Sequence, residues 1–113
     1  MADDPLVKRL GIYLHLAKAS QQRVRPHVRD RLLVIAATLA EQLSLSRVAA
    51  HCRQLVLEHN PQHLIGHYST VAEALSDSDF LHLLKQLLRR FPLEEAERML
   101  DSLGVDLGRE WAA

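Results

Sequence analysis

The residues with the richest chemistry in this 113-residue chain crowd into positions 51 to 70, HCRQLVLEHNPQHLIGHYST, which hold four of the seven histidines and the only cysteine. Imidazole and thiolate are zinc ligands, and His63 and His67, four apart, share one helical face. Distance limits the combinations. Cys52 and His59 are seven apart, so on a straight helix they lie roughly 10 Å apart along the axis at about 1.5 Å per residue. One ion with bonds of about 2.0 to 2.3 Å cannot easily take both. A turn folding back at Asn60-Pro61 would instead assemble His59, His63 and His67 as a site for zinc or a similar metal. The plainer expectation is that no cofactor is bound. Cys52 then continues an apolar helix face, and the histidines are turn residues whose ring nitrogens satisfy backbone groups.

A second group is cationic. Arg23, Arg25, Arg29 and Arg31, with His27, surround the start of a helix at Pro26, where positive charge opposes the helix dipole at a cost of some tenths of a kcal/mol each. An anion is expected to compensate, either a phosphate-bearing ligand or the acidic last helix of the same or another chain. Downstream, residues 39–56, LAEQLSLSRVAAHCRQLV, resemble a DNA-binding helix-turn-helix in outline. The second helix of that segment carries Arg47, His51, Arg53 and Gln54, side chains that read base edges and phosphates. The segment departs from that pattern in having Ser44 where such turns prefer glycine. Arg25, Arg29, Arg47 and Arg53 are the anion or nucleic-acid contacts this reading nominates.

Charge is distributed unevenly although the net charge is zero. Residues 1–56 carry nine Lys or Arg against four Asp or Glu, a balance of +5, and residues 57–113 carry five against ten, a balance of −5. Either the basic half meets an anionic partner or the two halves attract one another. Enzyme signatures are missing: the sequence has no phosphate-binding glycine loop, no nucleophile elbow and no two-histidine zincin motif.

The elements that must position these residues read as helices throughout. Asp4-Pro5 is a cap followed by proline at the first helical position, and Leu6, Leu10, Tyr13, Leu14 and Ala17 recur at helical spacing. Pro26 opens a second helix with an apolar stripe from Leu32 to Leu43. Ser44-Leu45-Ser46 is a tight connection with a serine cap into a third. Asn60-Pro61 ends that helix and starts a short one at the proline, and Thr70 with Glu73 is a capping box for another. Asp77-Ser78-Asp79 caps a helix so apolar that it is expected at the domain centre or in a subunit contact through Phe80, Leu84, Leu87 and Phe91. Pro92 opens the last helix, with Gly104 as its stop and an irregular tail over residues 105–113.

These features predict a single all-α domain spanning residues 1–113, a compact bundle of about five longer helices plus one or two short ones with short connections. One cysteine allows no internal disulfide. The first residues, MADDPLVKRL, contain no secretory signal, and no segment reaches the apolar length of a membrane helix, so a cytoplasmic protein with no membrane contact is expected. The functional expectation is an interaction or regulatory module acting by binding, with itself as a homodimer or with another protein. Nucleic-acid binding through residues 39–56 and metal binding at His59, His63 and His67 are the alternatives.

Overall fold

The computed structural model describes residues 4–103. Its elements are α1 (Pro5–Gln22), α2 (Pro26–Gln42), α3 (Ser46–His59), a 3-10 turn (Leu64–His67), α4 (Val71–Ala74), α5 (Ser78–Arg90) and α6 (Leu93–Ser102). The architecture is the all-α bundle with short connections that the sequence predicts, and no strand occurs among the described residues. Gly104 and the tail 105–113, including Trp111, lie outside them.

Side-chain caps start several helices. The Asp4 carboxylate accepts from Leu6 N at 2.9 Å, and Thr70 Oγ1 accepts from Glu73 N at 3.1 Å while the Glu73 carboxylate returns to Ser69 N. Asp77, the N-cap of α5, also accepts from the Tyr68 hydroxyl.

Two expected boundaries differ in mechanism. Ser46 does not cap α3: the N-cap is Leu45, without a side-chain hydrogen bond. The serine that matters is Ser44, whose positive φ of 61° closes α2. Leu45 N bonds back to Ala40 O and Ser44 N to Glu41 O, the paired bonds of a Schellman motif. Nor does Pro61 start a helix. Residues 61–63 turn, and the 3-10 turn begins at Leu64 with His63 as its N-cap. Gly66 lets this turn approach α3, since a Cβ there would stand 2.9 Å from Leu57 Cδ2.

The central helix is α2, not α5. Every residue from Leu32 to Thr38 is buried, because α1 and α3 flank α2 while α4 and α5 cover a further side. Three alanines, Ala36, Ala37 and Ala40, each with no exposure, let the neighbours close in. α6 packs on α1, and the Tyr13 hydroxyl donates to Phe91 O at 2.7 Å, fastening α1 to the corner between α5 and α6.

This layout corrects the subunit-contact residues. Phe80, Leu84, Leu87 and Phe91 are 0%, 9%, 6% and 7% exposed and belong to the chain's own core. The extra apolar width of α5 is instead Leu81 and Leu88, seven apart and 44% and 42% exposed.

Candidate functional site

The helix-turn-helix expectation fails on geometry. His59, the last residue of α3, donates from Nδ1 to Asp30 Oδ2 near the start of α2, while Leu45 N at the other end of α3 bonds to Ala40 O. The two helices therefore run antiparallel along their full length as an αα-hairpin, whereas a helix-turn-helix crosses at about 90 to 120°. Its arginines are also dispersed. The Arg29 side chain is only 12% exposed, with Nε donating to Gln21 Oε1 at 3.2 Å and Nη1 to Asp30 Oδ1 at 3.3 Å. Arg53 Nη2 donates to Tyr68 O at 2.7 Å, and its buried Nε finds no acceptor among the described residues. Arg25, the N-cap of α2, and Arg47, in the first turn of α3, are exposed at opposite ends of the hairpin, separated by most of the length of α2, whose 17 residues span roughly 25 Å at about 1.5 Å per residue.

The three nominated histidines also go separate ways. His63 Nδ1 accepts the Ile65 N–H at 3.0 Å, so its Nδ1 lone pair is used and its proton sits on Nε2, leaving no ring nitrogen for a metal. Burial pushes its pKa below the usual histidine value, against a smaller upward pull from Asp30. His67 is exposed on the 3-10 turn, and His59 turns its Nδ1 to Asp30 on α2 rather than toward the other two. Among the described residues no group of three or more His, Cys, Asp or Glu side chains is arranged to hold a metal ion.

The packing of three helices in one layer creates a feature that no single segment announces. Because α1 and α3 flank α2 rather than pack on each other, a groove of about 260 Å³ lies between them over the α2 residues Arg29 and Leu33. Its apolar surface comes from Leu14, Ala17, Leu33, Val48, Cys52 and Leu55. The remaining lining residues are Lys18, Gln21, Arg29 and His51, so no acid borders it. On α1 the lining runs from Leu14 to Gln21 and on α3 from Val48 to Leu55, two helical turns or roughly 10 Å in each case.

Arg29 joins this groove to a polar network at its end. It lines the groove and pairs with Asp30, which is 6% exposed. A buried carboxylate must be paired, and Asp30 has Arg29 on one oxygen and His59 on the other. His27, one turn before Asp30 on α2, meets His59 edge-on with ring centroids 5.7 Å apart. Sequence reasoning missed His27 and Asp30 as partners of His59. The available signal was Asp30 itself, a lone acid three residues after His27 at the edge of the apolar run LLVIAATLA.

The chain matches no known protein family, no curated protein and no solved structure. No described helix is long and apolar enough to cross a membrane.

Proposed function

We propose that this protein is a binding module whose groove between α1 and α3 receives an acidic amphipathic helix from another protein. The observation that carries the reading is the groove's lining: an apolar floor two turns long, bordered by Lys18, Arg29 and His51 and by no carboxylate. A helix seated there would insert apolar anchors at i, i+3 or i+4, and i+7, the helix-in-groove mode of recognition. It would also complete a four-helix arrangement around α2. The +5 half of the chain is built mainly into α1, α2 and α3, so long-range attraction favours the same acidic partner.

The test is a titration followed by NMR. A helical peptide with leucines at i, i+3 and i+7 flanked by glutamates is added to the full chain, beside a control in which lysines replace the glutamates. Shifts concentrated at Leu14, Leu33, Val48 and Leu55, produced by the acidic peptide, weakened by salt and lost in Val48→Lys, are expected. Shifts scattered over the surface, or equal binding of the basic control, would reject the reading.

A further inference from the structure

The network at the end of the groove carries a second site. We infer that His27 and His59 form a two-imidazole site for a divalent transition ion of the zinc or nickel kind, with Asp30 as the carboxylate that orients His59. Three observations converge. His59 Nδ1 is hydrogen-bonded to Asp30 Oδ2, and an ionised carboxylate only accepts, so the proton is on Nδ1 and the Nε2 lone pair is free. A metal-bound histidine characteristically donates its other ring N–H to a carboxylate in this way. Asp30 is itself held by Arg29 at 3.3 Å, which fixes the carboxylate and through it the ring.

The second observation is the spacing of the rings. With a metal–nitrogen bond of about 2.0 Å, each ring centroid stands roughly 3.2 Å from the ion, and two rings at a tetrahedral angle have centroids about 5.2 Å apart. His27 and His59 stand at 5.7 Å with their ring planes at 68°, so the exposed His27 side chain has to turn for one of its nitrogens and His59 Nε2 to meet at one ion. Third, the pair is reachable: His27 is exposed in the first turn of α2, and the His59 side chain is 34% exposed. Water would complete the coordination shell. These ligands differ from the trio that sequence spacing suggests, because His63 spends its Nδ1 lone pair on the Ile65 amide.

The experiment is a calorimetric titration of the untagged full chain with zinc chloride alone, repeated with nickel. One equivalent is expected to bind in the micromolar range. His27→Ala, a surface change, should abolish binding with the fold intact by circular dichroism, and His67→Ala should leave it unchanged. Asp30→Asn, checked for folding first, should weaken binding by about 10 to 100-fold, the usual loss when a carboxylate behind a metal-bound histidine is removed. Absence of binding to the wild type, or binding that survives His27→Ala or is lost in His67→Ala, would overturn the assignment. The groove reading is independent of it, since the acidic peptide is tested without metal.

Discussion

Val24 and Ser44, twenty positions apart, hold the same left-handed backbone conformation, with φ of 56° and 61°, and close α1 and α2 in the same way. In each turn the following residue donates back across the helix end, Arg25 N to Ser20 O and Leu45 N to Ala40 O, both at 2.8 Å. Two copies of one Schellman turn thus set α1, α2 and α3 side by side and leave the groove between the outer pair.

Val24 is a poor residue for that task, since a β-branched side chain at positive φ is strained and this one is 83% exposed, with little packing to offset the cost. Left-handed conformation costs an ordinary residue about 1 to 2 kcal/mol. Val24→Gly is therefore expected to stabilise the fold by about 1 kcal/mol, a rise in Tm of about 4 to 8 °C for a domain near this size. Thermal unfolding followed by circular dichroism checks it, and an unchanged or lower Tm would mean that the valine is not strained there.

Burial of Phe80, with no exposure, separates core from interface on α5. Phe80→Ala should cost about 3 to 5 kcal/mol in urea unfolding, as for a core phenylalanine. Leu81→Lys combined with Leu88→Lys should leave stability nearly unchanged. Two half-exposed leucines fall well short of the roughly 800 Å² per partner of a standard interface, so sedimentation is expected to give a monomer at micromolar concentration. A dimer dispersed by the Leu81/Leu88 change would show that α5 pairs chains after all.

The helices were legible because their signals are local: Asp4-Pro5, Pro26, Thr70 with Glu73, and Asp77 each act within a few residues. Side-chain fate was legible only where a face has one possible neighbour. For Phe80 to Phe91 the sequence leaves domain centre and subunit contact both open, because periodicity shows that a face is apolar and not which element covers it. The central position of α2 follows from having neighbours on several sides, a tertiary property. Asp30–His59 spans 29 positions, and the groove needs Leu14 and Val48 to stand across α2 from one another, so neither could be read along the chain. His63 was partly legible: a turn histidine satisfying a backbone amide was the plainer expectation for it, and it does so at Ile65.

Cys52, 1% exposed on the groove floor, should be inert in the native protein. Burial pushes its thiol up to about 11, so almost none is thiolate near neutral pH, and thiolate is the reactive form. Labelling by a disulfide reagent at pH 8 is expected to occur only as fast as the chain opens, and to become rapid in urea. Fast native labelling would show that the groove between α1 and α3 opens to its floor.

Acid sensitivity should trace in part to His63. Its pKa is lowered by burial, which outweighs the pull of Asp30, while in the unfolded chain it sits near the ordinary value of about 6.5. The unfolded state therefore takes up the proton first. The stability that neutral His63 contributes is fully present above about pH 6.5, is lost as pH falls from there toward the folded pKa, and changes no further below it. His63→Asn keeps an acceptor for the Ile65 amide, because asparagine is a favoured N-cap, but removes the titration. Urea unfolding at pH 7.5, 6 and 5 should show the variant losing less stability than the wild type over this range. Equal losses would place the acid-sensitive groups elsewhere in the chain.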